Sequence, residues 1–395
     1  MTALLPVADA QARLFALAPR VASECVPLTA AAGRWTAEPV IALRAQPGAN
    51  LSSMDGYAIR FDDLPGPWRV IGESAAGRAF SGSIGPGEAA RIFTGAAMPA
   101  GADSVLVQEE AGRDGETLTL TGEGPPRRGA SVRRRGLDFD WGDSLIEAGT
   151  RLTPAAIALA ATGGHGALTV NRRLRVTIMA TGDELVAPGT ASDDPLTLPE
   201  GNSAMLAAML ADLPVDVTVT GIIPDRLDTL VAAFSGANAD IIVTTGGASV
   251  GDHDLVRPAL EAAGGKVDFW RIAIRPGKPM LAGRLGDAVV LGLPGNPVSA
   301  FVTATLFLRP LIAAIAGAAD PLPRLLRAEL AEPLPANDHR QDYLRGTSID
   351  GRVSAAATQD SSMLATLACA TCLIVRPPHA PPAAIGDPVD ILPLA

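Results

Sequence analysis

Three short segments of this sequence carry the groups that phosphate and oxyanion chemistry needs. They are Thr181-Gly182-Asp183-Glu184-Leu185, the run Thr244-Thr245-Gly246-Gly247-Ala248-Ser249-Val250-Gly251-Asp252-His253-Asp254, and Gly292-Leu293-Pro294-Gly295-Asn296-Pro297. Each follows an apolar run of strand length. Together they combine bare backbone at Gly246, Gly247 and Gly295 with hydroxyls and four carboxylates. In an open α/β sheet such loops lie at the carboxyl ends of the strands, where neighbouring helix N-termini point free N–H groups and the positive end of their dipoles. Each segment also has a purely structural reading. Asp183 is a natural turn or cap residue, Asn296-Pro297 reads as an N-cap followed by Pro in the first turn, and a Gly-Gly pair serves any tight turn. Asp225, with Asp228 three residues on, reads first as helix capping. Only convergence of the three segments on one edge makes a site.

Further groups lie outside these loops. Arg275-Pro276-Gly277-Lys278-Pro279 is a turn sequence that presents the Lys278 ammonium, suited to an anionic ligand. Ser52-Ser53-Met54-Asp55-Gly56-Tyr57-Ala58 places Asp55 at a turn. A basic run follows at Arg127, Arg128, Arg133, Arg134 and Arg135, leading to Asp138, and is either a solvated face or a local oxyanion site. Cys369-Ala370-Thr371-Cys372 lies in a β-like run rather than where a strand feeds a helix, and it lacks further ligands, which argues against redox or zinc chemistry. Gly-x-Ser-x-Gly, P-loop and His-Glu-x-x-His motifs are absent.

The elements that must position these groups follow from periodicity. Apolar runs at 174–180, 215–223, 241–245, 267–274 and 288–293 alternate with helical segments at 203–213, 226–234, 255–263 and 298–316, which predicts an open, mostly parallel sheet covered on both faces. Short β-like runs separated by Gly and Pro fill 48–146. Thr153-Pro154 opens an Ala-rich helix, and residues 7–18 form another. The segment after 320 is β-like. The expected domains are a linker domain of 1–47 plus 147–172, a β-rich insertion at 48–146, an α/β domain at 173–319 and a C-terminal β domain at 320–395.

The length of 395 residues demands several cores, and 41 glycines with 33 prolines fall short of low-complexity levels. A net charge of −10 disfavours nucleic acid. Three cysteines and no basic, apolar leader point to a reducing, cytoplasmic setting. The apolar stretch 298–319 is interrupted by Arg309 and Pro310, so a buried helix is expected there and no membrane span.

With these loops laid out, the sequence resembles the MoeA family of molybdopterin molybdenumtransferases, which includes the gephyrin E domain. The likeness runs through Ser53-Met54-Asp55-Gly56-Tyr57-Ala58, Thr94-Gly95-Ala96 with Pro99-Ala100-Gly101-Ala102-Asp103, Arg134-x-Gly136-x-Asp138, Thr181 to Leu185, Gly246-Gly247-x-Ser249-Val250-Gly251-Asp252-x-Asp254, Pro276 to Pro279 and Leu293 to Ser299. The resemblance implies a multidomain α/β protein: a doubly wound, MoaB/MogA-like α/β domain, a β-rich insertion, a small helical and β linker domain and a C-terminal β-barrel-like domain. It implies a homodimer whose cleft lies between the α/β domain of one subunit and the insertion of the other. The implied reaction inserts molybdate into the dithiolene of adenylylated molybdopterin and releases AMP, with a divalent cation, Mg²⁺, present. The resemblance carries catalytic roles to Asp55, Thr94, Asp138, Glu184, Asp225, Asp252 and Lys278. It carries substrate contacts to Asp183, Gly246, Gly247, Ser249, Asp254, Arg275, Pro294, Gly295, Asn296, Pro297, Ser299, Arg345 and Ser361. Because Mg²⁺ takes one or two carboxylates plus phosphate oxygens, Asp183, Glu184, Asp252 and Asp254 are its candidate ligands. Two departures stand out: Arg275 where the family often has Lys, and Gln359-Asp360-Ser361 where it has Gln-Gly-Ser. Two other functions stay open, a molybdopterin adenylyltransferase and a gephyrin-like scaffold. A molybdopterin adenylyltransferase and molybdoenzymes are the partners such a protein would meet.

Overall fold

A computed structural model of the chain describes residues 4–19, 21–190, 194–247 and 255–394. At its centre is a six-stranded sheet in the order Val215–Ile223, Leu174–Thr181, Ile241–Thr245, Ala288–Leu293, Leu281–Leu285, Lys266–Trp270. The first four strands pair in parallel, and the last two join by antiparallel pairings. Ile241–Thr245 and Ala288–Leu293 are buried at every position, as covering by helices on both faces requires. Alternate side chains serve separate cores. Ile241 and Val243 join Val7, Leu14, Leu206 and Phe307 on one face, while Ile242 and Val290 join Leu230, Phe234, Val256 and Leu260 on the other. The parallel strands end level, since Thr181 pairs with Ile223, Ala180 with Thr245, and Thr245 with Leu293. Their following loops therefore line one edge. On the outer strand Val215–Ile223 the pairing slips by a residue near Gly221, whose φ is 85°.

One expectation needs correction here. Residues 267–274 are not one strand: the chain leaves the sheet after Trp270, passes through Arg271 at a φ of 92°, and gives Ile274–Arg275 to a different sheet. Leu281–Leu285, not anticipated from the sequence, fills the place between Lys266–Trp270 and Ala288–Leu293. The buried helix expected over 298–316 is present, with Arg309 and Pro310 inside it. Pro297–Ile315 is continuous and 78% of its most apolar stretch is buried inside the protein. Ala304–Leu308 widens into a π turn just before Pro310, which has no N–H to offer and whose ring would crowd an α-helical carbonyl. Arg309 reaches out of the helix to Asp212 at 2.8 and 2.9 Å.

The other sheets frame this centre. In the insertion the order is Ser104–Val107, Gly56–Ile59, Glu88–Ile92, Trp68–Ser74, Thr117–Leu120, Ala111–Asp114, around a core of Tyr57, Ile59, Trp68, Leu106 and Leu118. Ser23–Pro27 pairs with Ala167–Asn171 and Val40–Ile41 with Ser144–Ile146, so the chain enters and leaves the insertion side by side. Thr153 caps Pro154–Thr162 as expected, its hydroxyl accepting the Ala156 N–H at 3.2 Å. Toward the C-terminus, Gln341–Ile349 pairs with both Arg352–Ala355 and Cys372–Arg376 and so closes a five-strand barrel with Leu326–Leu330 and Pro388–Pro393. The Cys369–Cys372 pair is not within a strand: Cys369 follows the short helix Leu364–Ala368 and Cys372 begins a strand, both as free thiols.

One ion-pair cluster joins the linker to the central sheet. Asp240, 8% exposed, receives both Arg172 nitrogens at 2.8 Å, the Arg175 N–H at 2.8 Å and the Arg175 guanidinium at 3.2 Å. Burial alone would push its carboxyl up, but the hydrogen bonds from Arg172 and Arg175 hold it well below the usual range. Because the folded value is depressed, the stabilisation is present above the unfolded value of 3.8 and is lost as pH falls through the folded one. Asp240→Asn should cost about 2 kcal/mol in urea unfolding at neutral pH. The gap between the two proteins should shrink at pH 3, and an equal gap at both values would remove the ionised cluster as its cause.

Candidate functional site

The level strand ends bring the predicted loops together. Thr181 donates its hydroxyl to Asp225 Oδ1, and the Asp225 N–H donates to Asp183 Oδ1 at 3.0 Å. Asp225 therefore does not cap the helix Leu227–Gly236, which starts without a side-chain cap; it ties the first strand end to the second. Gly246 has a φ of 94°, and a Cβ there would stand 2.3 Å from the Thr181 carbonyl oxygen. No other residue fits without moving backbone. A Cβ on Gly295 would lie 3.5 Å from the Gly246 Cα, so the second and third loops touch as well. The exposed Asp183 and Glu184 stand beside them, with the Glu184 carboxylate folded back toward Gly182. Gly247 takes a φ of 60° against Val256. Ser249, Asp252 and Asp254 lie outside the described residues.

Two contacts in this cluster could not be read from the sequence. Asn202, the first residue of the helix Asn202–Met209, donates its amide to Thr245 Oγ1 at 2.7 Å and to the Gly295 carbonyl at 2.8 Å. Its one local signal is its place at the start of an apolar helix. Asn296 makes no side-chain cap on the helix that Pro297 begins. Its amide instead donates to Ser361 Oγ at 2.9 Å, and the Val298 N–H donates to the Ser361 carbonyl at 3.2 Å. The barrel is thereby brought onto the sheet edge. Pro294 and Ser299 are buried beneath this contact.

Arg345 explains how Ser361 is presented. It is 1% exposed, and it donates to the Asp360 carbonyl at 2.7 Å, the Thr358 carbonyl at 3.2 Å and Gln359 Oε1 at 3.3 Å. The guanidinium holds the 358–361 loop from behind and has no open face, and burial pulls its pKa down. Asp360 turns to Ser362, accepting its N–H at 2.9 Å and its hydroxyl at 2.6 Å, and these bonds hold the carboxyl below its usual range. Arg275 is committed too. Its guanidinium clamps Asp342, whose side chain is only 4% exposed, and it stands 3.6 Å from Asp338. It fastens the barrel, with its side chain still half exposed. Lys278 lies beyond it on the wall of a cavity of about 730 Å³.

The insertion forms a second group. Asp55 Oδ1 accepts the Thr94 N–H at 2.7 Å and the Thr94 hydroxyl at 2.9 Å, which draws the carboxyl below its usual range, with a smaller pull from Arg91. Arg91 lies over the Tyr57 and Phe93 rings, 5.1 and 4.9 Å from their centres. Asn50 joins the two turns of this group: its carbonyl accepts the Met98 N–H and its side chain the Arg135 N–H, both at 2.9 Å. Asp138 is exposed on the second of these turns. In the basic run, Arg128 pairs with Asp62 and Asp103 and Arg135 with Asp140, while Arg127, Arg133 and Arg134 are exposed. Among the described residues no hydrogen bond joins this group to the sheet edge. The described residues also hold no group of three or more His, Cys, Asp and Glu arranged for a metal.

Known families place this arrangement. The model for the MoeA N-terminal region (domain I and II) matches residues 5–164, that for the "Probable molybdopterin binding domain" matches 177–314, and that for the MoeA C-terminal region (domain IV) matches 327–394. The molybdopterin molybdenumtransferase of Haemophilus influenzae is 38% identical over 75% of this chain and 73% of its own length. That of Nostoc sp. is 34% identical over 95% of this chain and 91% of its own length. The crystal structure of the molybdopterin biosynthesis MoeA protein from Pyrococcus horikoshii superposes with a TM-score of 0.82 at 27% identity, covering all of both chains. A sheet edge built from glycine turns, an insertion bearing its own carboxylate and hydroxyl, and a barrel reaching back to the edge thus sit in a chain that belongs to the MoeA family.

Proposed function

We propose that this protein is a molybdopterin molybdenumtransferase that inserts molybdate into the dithiolene of adenylylated molybdopterin, with hydrolysis of the adenylyl group and release of AMP. The observation that carries the reading is the convergence of Thr181, Asp183, Asp225, Asn202, Gly246, Gly295 and Ser361 on one edge of the sheet. Molybdenum is held by sulfurs of the substrate, so the chain needs no thiolate cluster of its own. Its work is positioning and charge. Bare backbone at Gly246 and Gly295 lets the pterin and its phosphate approach closely. Asp183 and Glu184 suit a divalent cation such as Mg²⁺, which takes few protein carboxylates and leaves its other positions to phosphate and water; it would neutralise charge on the phosphate being cleaved. Asp252 and Asp254 belong to the same proposed set.

Asp55, with Thr94 fixing its carboxylate, and Asp138 serve the oxyanion end. The proposal includes a homodimer in which the insertion of one subunit completes the edge of the other. Such an enzyme works in the cytoplasm, between a molybdopterin adenylyltransferase and the molybdoenzymes that receive its product.

The shared cleft has a direct test. Asp55→Ala and Glu184→Ala subunits, each inactive alone, should regain part of the activity when mixed, because hybrid dimers hold one intact cleft. Confirmed hybrids without recovery would count against it. Lys278→Ala should weaken substrate binding by about 1.5 to 3 kcal/mol, as loss of a charged hydrogen bond does, and unchanged affinity in a titration would take Lys278 out of the site.

A further inference from the structure

At the end of the central sheet away from Thr181, Thr245 and Leu293, a cavity of about 610 Å³ opens where the chain leaves the helix Val7–Ala16 and meets the strands Lys266–Trp270 and Leu281–Leu285. Leu17, Lys266, Asp268 and Arg284 are among the residues that line it. Lys266 and Arg284 sit directly opposite one another in the antiparallel pairing. Side chains so placed share a face with their Cβ atoms roughly 5 Å apart, and like charges there destabilise the sheet. Glycines beside both residues enforce the approach. A Cβ on Gly283 would stand 2.4 Å from the Lys266 carbonyl oxygen, and one on Gly265 2.9 Å from the Arg284 carbonyl oxygen.

The nearby carboxylates do little to offset these two cations. The strand pairing skips Asp268, since Val267 faces Gly283 and Phe269 faces Ala282. Asp268 is taken instead by Arg13, whose Nε donates to its carboxylate and whose Nη donates to its carbonyl, both at 2.8 Å. Asp287 stands 3.9 Å from Arg284 but is wholly exposed, where an ion pair is worth little. The Lys266 ammonium has no hydrogen-bond or ion-pair partner among the described residues. Arg284 is desolvated from behind: its Nε is buried without a hydrogen-bond partner, while the side chain as a whole is 40% exposed. A charge stripped of part of its hydration gains more from an anion on its open side than a fully hydrated one does. A Cβ on Gly264 or Gly286, at the rim, would meet nothing within 4 Å, so the way in is clear. A like-charged pair set in register breaks the rule by which sheets are stabilised, and such breaks mark functional places.

We infer that this recess binds a doubly charged tetrahedral oxyanion, phosphate or sulfate, between the outer guanidinium nitrogens of Arg284 and the Lys266 ammonium. The planar fork takes two oxygens and the compact ammonium a third. The ion is smaller than the cavity and occupies its cationic corner, with water in the rest. Bound there, it turns a repulsive cross-strand pair into a bridge between the two strands, beside Leu17. Because the unfolded chain has no such arrangement, binding stabilises the fold. Lys278 lines a different cavity and the glycine turns lie at the opposite end of the strands, so the inference stands apart from the transferase reading.

Melting curves of the full chain test it, in sodium chloride, sodium phosphate or sodium sulfate at equal ionic strength. The wild type should show a saturable rise in melting temperature with phosphate, sulfate or both, half complete below about 10 mM, as a few charged hydrogen bonds at an open site give. A response to one ion alone names that ion as the ligand. Lys266→Gln and Arg284→Gln should each need at least tenfold more anion for the same rise. In chloride alone Lys266→Gln should melt at or above the wild type, because it relieves the repulsion. Lys278→Gln should keep the wild-type response. Four results overturn the inference: no saturable rise, an equal rise in wild type and Lys266→Gln, a Lys266→Gln protein less stable than wild type in chloride, or a response lost in Lys278→Gln.

Discussion

The level ending of four parallel strands is the constraint on which the candidate site depends. Hydrogen-bond register sets Thr181, Ile223, Thr245 and Leu293 side by side, and every loop that follows must begin from that line. The loops are then crowded enough that Gly246 meets the Thr181 carbonyl and Gly295 meets Gly246. Glycine at these positions is a consequence of crowding, and the exposed backbone it leaves is what a phosphate or a flat ring can approach. Asn202 keeps the crowding productive: one amide group uses both its hydrogens to hold the second and third loops in a single arrangement.

Charge is handled in two ways. Several cations with buried or half-buried partners fasten parts of the chain to one another: Arg172 and Arg175 on Asp240, Arg275 on Asp342, Arg309 on Asp212, and Arg345 on the carbonyls of the 358–361 loop. Breaking one partner of such a buried contact leaves the other desolvated and unmatched, so each acts as a rigid joint. The groups left toward open space, Asp55, Asp183, Glu184, Asp138 and Lys278, are held by few side-chain contacts and are the ones free to meet a ligand.

What was legible in the sequence was local. Continuous apolar runs marked Leu174–Thr181, Ile241–Thr245 and Ala288–Leu293, and Pro154 after Thr153 marked a helix start. Leu281–Leu285 was missed because a short run holding Gly283 and Arg284 has neither the length nor the alternation of a strand; its neighbours on the sheet supply its stability. The buried helix over 298–316 was legible too, though the π turn that lets it pass Pro310 was not. The site was legible as motifs and not as contacts. Asn296 looked like a cap, and nothing local announced that Asn296 meets Ser361, that Arg275 meets Asp342 or that Arg345 meets the 358–361 loop, partners that lie dozens of residues away or are backbone atoms. Local spacing carries no information about either.

The slip in pairing at Gly221 bears on how the central sheet meets its surroundings. Val215–Ile223 is a long outer strand with few charges, the kind of border that invites another chain to add on and keep adding. A residue out of step near its end twists that border and breaks the run of evenly spaced amides and carbonyls, so a newcomer would find only a short stretch to match. The slip thus leaves only a short evenly paired stretch on this rim strand.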